Sequence, residues 1–308
     1  MSQQLNLFSK GAVDQFDGAA YDPLADPATE ANAIDEMFAA DSRYRSSREL
    51  MQLLNFIARL PQYSAFNGFL LYTQNPTLSH VATARTWARK FGRHLKFNAR
   101  PLVILAPMGP VRFVYDLNDT EGEPVLAERL TSSPATQRLP TRIIENTVQN
   151  CALHGIVVRE VVSDDLRSDT AVRMIPSIRK KYRHLNLEKD ASYLVMIGQA
   201  DRPETKYARL ALELGHIFCG HLGIDKNAWW SERHHISATQ GEIEAESVAF
   251  LICQRKGLAS STGQYLAQYQ LTEQQIPIFS LNAILQAVNY IEAMGRSRWR
   301  RPKKRSRY

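Results

Sequence analysis

Cysteine is scarce. The 308-residue chain has three, Cys151, Cys219 and Cys253, an odd number with no CxxC pair. This excludes a disulfide framework and fits free thiols in a reducing compartment. No apolar run approaches the roughly 18 residues that span a bilayer. The opening residues MSQQLNLFSKGAVDQF lack the basic start and apolar stretch of a secretory signal. These absences predict a cytoplasmic protein with no membrane contact. Acids are absent from residues 296–308, RSRWRRPKKRSRY, whose eight Lys and Arg exceed the whole net charge of +7. The remainder is therefore close to neutral, and the basicity belongs to a tail. Like-charge repulsion predicts that this tail, with Arg298, Arg300, Arg301, Lys303 and Lys304, is unfolded and suited to lie along phosphates.

With 44% hydrophobic and 9% aromatic residues the chain has the material for a large core, and its length favours two domains. Residues 1–30 mix Gly, Ala, Asp, Gln and Pro without periodicity and read as a disordered leader. Leu50, Leu53, Leu54, Ile57 and Leu60 recur at three- and four-residue steps and predict a helix ended by Pro61. A second helix is predicted within 63–76 and a third from Ala82 to Phe91, stopped by Gly92. Strands are expected at Leu102–Leu105 and Val111–Leu117 around the turn APMGP. This gives a small α+β domain over residues 31–130, then a polar linker at 131–141. A mainly helical domain follows over 142–295. Its predicted elements are helices at 142–154, 203–219 and 241–255, short strands near 156–162 and 193–197, and a last helix from Ser280 to a stop at Gly295. The fold class is α+β.

The helix predicted at 203–219 carries LELGH. In HExxH, two histidines at i and i+4 share a helix face and hold one metal, and the glutamate between them activates the metal-bound water. Here Glu213 and His216 stand in the base and second-histidine positions, and Leu212 replaces the first histidine. Other residues were weighed as its replacement. His221 lies five residues beyond His216, about 140° around an ideal helix, out of reach while the helix continues. His234 and His235, in the loop WWSERHHIS, read as a surface pair, and Cys219 as a core residue. In the following helix, Glu244 reads as a solvated residue and Glu246 as a support for a ligand.

ELGH followed by EIEAESVAFLIC resembles the IrrE/ImmA-like zincin peptidases, whose metal helix precedes an E-x-x-A helix. The resemblance implies Glu213 as general base, with His216 and Glu242 as ligands of Zn²⁺. It also implies an edge strand at Tyr193–Ile197 along which a protein target would lie. With one ligand missing, two readings stay open: a binding module without resident zinc, or an active zinc endopeptidase completed by an unrecognised ligand. The segments LPQYSAFNGFLLYTQNP, ATARTWARKFGRHLKFNARPLVILAP and FVYDLNDTEG resemble the N-terminal single-stranded-DNA-binding domain of ArdC antirestriction proteins, in which that domain precedes a zincin domain. The resemblance implies single-stranded DNA as partner. Single-strand binding needs rings for stacking and cations along the backbone. Tyr63, Phe66, Tyr72, Trp87 and Phe91 supply rings, and Arg85, Arg89, Lys90, Arg93, Lys96 and Arg100 supply charge. Trp87 and Phe91, at i and i+4, read as core. Arg93, Lys96 and Arg100 read as phosphate contacts, Tyr63 as a stacking candidate, and Asn67 as either a base contact or a loop brace.

Overall fold

The computed structural model of the chain describes residues 35, 47–106, 109–125, 138–162, 171–199, 201–225, 228–258 and 279–299. The expected leader, residues 131–137 of the expected linker, and Arg300, Arg301, Lys303 and Lys304 of the tail lie outside them.

Apolar periodicity places the first helix, α1, at Ser47–Ala58. The second, α2, spans Ala65–Gln74. It starts where the Ser64 hydroxyl accepts the Asn67 N–H, and Pro76 cannot continue it. Strand β1 (Val81–Ala82) leads into α3 (Ala84–Phe91), which Thr83 caps at one end and Gly92, at φ 65°, closes at the other. Next come β2 (Arg93–Leu95), β3 (Leu102–Ala106), β4 (Gly109–Asp116) and β5 (Thr120–Gly122). β1, β4 and β3 form one antiparallel sheet in that order, and β2 pairs with β5 in a second.

The second half holds α4 (Thr141–Cys151), β6 (Ile156–Val161), β7 (Ala171–Arg173), α5 (Pro176–Lys181) and β8 (Tyr193–Gly198). It continues with α6 (Pro203–Phe218), α7 (Ala238–Gln254) and α8 (Leu281–Arg296). β8 is buried along its whole length, parallel to β6 on one flank and antiparallel to β7 on the other. The expectation of a free edge strand at Tyr193–Ile197 is therefore corrected. β7 pairs with Tyr193, Leu194 and Val195 and uses the backbone groups that a peptide would need there. With only three residues, β7 has too little periodicity to be read from sequence.

The expected halves share their packing. Leu50, Leu53, Leu54 and Ile57 of α1, with Ala65 and Phe69 of α2, are buried in the large core formed with α6, α7 and α8. Phe56 of α1, Leu60 just after it and Leu71 of α2 turn into the smaller core of β1, β3 and β4. Arg255 fixes this union. Its fully buried guanidinium pairs with Glu292, Nε to Oε1 at 2.9 Å. It also donates to the carbonyls of Ile57 (3.0 Å), Leu60 (3.2 Å) and Tyr63 (2.6 Å). One of these carbonyls, Ile57's, lies in the last turn of α1, where a cation is the favoured charge.

Two boundaries differ from expectation. Gly295 does not stop α8. It lies inside the helix, where a Cβ would come 3.0 Å from Ile143, so glycine serves close packing against α4. The tail is not detached at its start. Trp299 donates its N–H to Asn150 at 2.8 Å and packs its ring on Tyr290 and His154. Likewise Leu139, placed in the expected linker, is buried in the large core.

Candidate functional site

Helices α6 and α7 approach closely because Gly215 faces Ala245: a Cβ on Gly215 would lie 3.1 Å from the Ala245 Cα. This brings the acidic stretch of α7 against the His216 face of α6. His216 Nε2 and Glu242 Oε1 are 3.7 Å apart, beyond a hydrogen bond and near the roughly 3.4 Å between two ligands of one tetrahedral zinc. Glu213 is buried on the same helix. The structure thus brings His216 and Glu242 together, with Glu213 three residues before His216 on α6. Leu212, one turn before His216, packs against the large core as a half-buried aliphatic group and offers no lone pair.

His221 does reach His216, contrary to the helical-wheel expectation, because the helix ends first. Phe218 is the last helical residue, Cys219 caps the helix, and Gly220 at φ 81° reverses the chain. Gly220 N–H bonds the Ile217 carbonyl and His221 N–H bonds the His216 carbonyl, the paired bonds of a Schellman turn. No other residue fits here, since a Cβ on Gly220 would lie 2.0 Å from the Ser231 carbonyl oxygen. The reversal sets the two Nδ1 atoms 3.0 Å apart. His221 Nε2 then contacts Glu244 Oε2 at 3.0 Å.

Glu244 is not solvated, as its sequence position suggested, but fully buried. Arg233 grips it with both terminal nitrogens, Nη2 at 2.6 Å from Oε1. The Ser280 N–H donates to Oε1 at 2.7 Å. Burial alone would raise the Glu244 pKa; the hydrogen bonds from Arg233 and His221 outweigh it and hold the carboxyl below its ordinary range. Burial, reinforced by the neighbouring His221, pushes His216 down to about 4, so its ring is neutral at neutral pH. One proton arrangement satisfies every contact with both rings neutral. The ionised Glu244 accepts from His221 Nε2–H, and His221 Nδ1 accepts from His216 Nδ1–H. The lone pair on His216 Nε2 is left facing Glu242.

The loop after α6 sends Arg233, not its histidines, to the site. His234 is exposed and lies 3.2 Å from Glu232, and His235 is exposed beside it. Sequence reasoning missed Arg233. The available signal was a buried glutamate on α7, which demands a cation, but burial on a helix apolar on most sides is invisible to periodicity.

Zinc fits this site poorly. The LELGH face offers two ligands where a catalytic zinc takes three from protein. Cys219, His221 and Glu244 also place their ligand atoms within 4.8 Å of one another. However, both Glu244 oxygens and both His221 nitrogens already serve Arg233, Ser280 and His216. Burial pushes the Cys219 thiol well above its ordinary pKa, and the Arg233 cation would repel a metal. Glu246 is half-buried on α7.

In the N-terminal half, Arg93 is engaged within the protein: Nε donates to the Thr120 hydroxyl at 2.7 Å, and the terminal nitrogens donate to the carbonyls of Thr120, Gly122 and Glu123. Lys96 Nζ donates to the Asn118 carbonyl at 2.8 Å. Arg100 is exposed. Asn67 proves to be a brace. Its amide exchanges two bonds with the backbone of Leu105, and Gln74, two turns on, does the same at Val103. Side-chain amides on α2 thus close the edge of β3. Trp87 is buried, as read, with its indole N–H on the Tyr115 carbonyl. Tyr63 donates its hydroxyl to the Val81 carbonyl at 2.8 Å. Arg298 borders Glu145 at 3.9 Å. Among the described residues no helix is long and apolar enough to cross a membrane. No protein-family model, no curated protein and no solved structure matches the chain.

Proposed function

We propose that this chain is an ArdC-like protein that binds single-stranded DNA through its N-terminal half, joined to a zincin-like half that holds no resident catalytic zinc and hydrolyses no peptide bond. The carrying observation is the His216–Glu242 pair beside Leu212: a ligand lone pair and a carboxylate face each other at 3.7 Å with an aliphatic side chain in the third position. His216 Nε2 and Glu242 are the groups that could hold a zinc, two where a catalytic site takes three from protein. The chain's own residues instead fix the His216 ring through His221, Glu244 and Arg233. The DNA reading rests on the resemblance of the N-terminal segments and on exposed cations of α3 and the following turn.

Elemental analysis of the purified protein, with peptide hydrolysis and oligonucleotide binding on the same sample, tests the reading. Far less than one zinc per chain, no hydrolysis, and a preference for unpaired over duplex DNA are expected. One tightly held zinc that His216→Ala or Glu242→Ala removes would overturn it. A second reading, a protein-interaction module, is favoured by one observation: Val103, Leu105, Val111 and Phe113 on the outer face of β3 and β4 are exposed apolar residues.

A further inference from the structure

The internal bonding of Arg93 and Lys96 directs attention to the cations that face a cavity. A cleft of about 290 Å³ opens between α3 and the β1–β4 edge, with Tyr63, His80, Thr83, Lys90, Phe91 and Arg112 in its lining. Such a volume lies at the small end of ligand pockets, roughly 300 Å³, the scale of one nucleotide. Lys90 and Arg112 are both exposed. Lys90 Nζ stands 5.3 Å from the centroid of the Phe91 ring, so a charge and an aromatic face are presented together. Phe91 is half-buried, steadied by Trp87 at 5.0 Å between centroids.

His80 adds an independent observation. Its Nδ1 is buried and has no hydrogen-bond partner. A polar atom left so is destabilising, and a turn of the ring would bring it to a ligand in the cleft. Burial holds the imidazole below its ordinary pKa. The ring is therefore neutral, and Nδ1 donates or accepts according to tautomer. Its backbone is fixed from behind, the N–H bonding the Asp116 carboxylate at 3.0 Å.

Resting on the DNA reading above, we infer that this cleft receives one nucleotide of an unpaired strand. The base stacks on Phe91 and bonds His80 Nδ1 through its edge, and the adjoining phosphate lies between Lys90 and Arg112. A duplex cannot present a base in this way, because its bases face each other in the stack. The cleft therefore supplies the preference for unpaired DNA that the exposed cations alone would not.

The test uses the full chain, a short fluorescent oligothymidylate and a hairpin duplex, with anisotropy read at several salt concentrations. Lys90→Ala with Arg112→Ala is compared with Arg85→Ala with Arg89→Ala, which removes the same charge from exposed positions of α3 outside the cleft lining. The cleft pair is expected to weaken oligothymidylate binding at least tenfold. It should flatten the log–log salt slope by about 1.4, two single-strand contacts' worth. The control pair should change affinity several-fold less. Thymidine monophosphate should displace the oligonucleotide at concentrations where inorganic phosphate does not. Equal losses from the two pairs, in a protein that still prefers unpaired DNA, would overturn the cleft while leaving the DNA reading intact. No binding of any unpaired strand at low salt by the natural protein would overturn both.

Discussion

Replacing Leu212 with histidine asks directly whether one side chain separates this site from a zinc centre. Position 212 is one helical turn before His216, on the same face, and the His216 Nε2 and Glu242 Oε1 atoms already lie 3.7 Å apart. An imidazole at 212 would complete three protein ligands. His216 needs no proton removed first, because burial keeps it neutral. Leu212 is half-buried against the large core, so without metal the substitution should cost about 1–2 kcal/mol in lost packing. Zinc at 100 times its dissociation constant would return about 2.7 kcal/mol. For a chain of this size each kcal/mol is worth roughly 2 °C in melting temperature. Calorimetry of Leu212→His should therefore show a metal-free midpoint a few degrees below the natural protein and a rise of about 5 °C with zinc. Leu212→Asn should show the fall without the rise, and Glu242→Ala in the histidine background should abolish the rise. If Leu212→His takes up no more zinc than the natural protein by elemental analysis, the α6–α7 face does not have the metal-site geometry argued here.

Four other outcomes follow from the same contacts. Arg255→Ala should cost about 3–5 kcal/mol in urea unfolding, because Glu292 is left buried with only the exposed Arg296, 3.5 Å away, as partner and three carbonyls lose their donor; Arg255→Met with Glu292→Leu should recover only the part due to the carboxylate. Gly220→Ala should cost at least about 2 kcal/mol, combining a left-handed backbone with a Cβ driven into the Ser231 carbonyl, and histidine NMR shifts should report His221 leaving His216. Ending the chain after Trp299 should leave the melting temperature unchanged. Ending it after Arg296 should cost about 1–3 kcal/mol, through the lost Trp299 ring and its bond to Asn150. Finally, the unfolded chain protonates His216 near its ordinary pKa while the folded chain resists until about 4. The stability that the neutral ring confers is thus complete above pH 6.5 and is lost as the pH falls toward 4. Between pH 8 and pH 5 the natural protein should lose about 2 kcal/mol more than His216→Gln in parallel denaturation curves.

Helices were legible in this sequence where one face carries the apolar residues and a known cap ends the run. α1, α3 and the start of α8 at Ser280 fall where Leu50 to Ile57, Gly92 and Ser280 put them. The strands β1, β2, β5 and β7 were not, because two or three residues hold no period to detect. Gly295 was misread because the letter is the same whether glycine ends a helix or lets another helix come close. The metal-like pair His216 and Glu242 was implied by the resemblance to zincin peptidases. The network behind it was not: its members come from a helix end, a loop and the buried side of α7, and only tertiary packing makes Glu244 need Arg233.

That network also gives the buried acid of α7 a counter-charge of its own. In a zinc site the ion supplies the positive charge that neutralises nearby carboxylates, and removing it leaves buried acids repelling one another. Here the buried acid of α7 is Glu244, and Arg233 supplies a permanent cation in a two-pronged grip, which a guanidinium maintains at any physiological pH. Arg233 also donates to the Cys219 carbonyl at the C-terminal end of α6, where positive charge is favoured. The histidines need only pass their N–H bonds along the chain to Glu244, and Glu242, half-exposed, remains in reach of water. The charge of Glu244 is therefore neutralised by protein alone. On the reading proposed above, Arg233→Ala rather than metal chelation is the perturbation to which this helix pair should be sensitive.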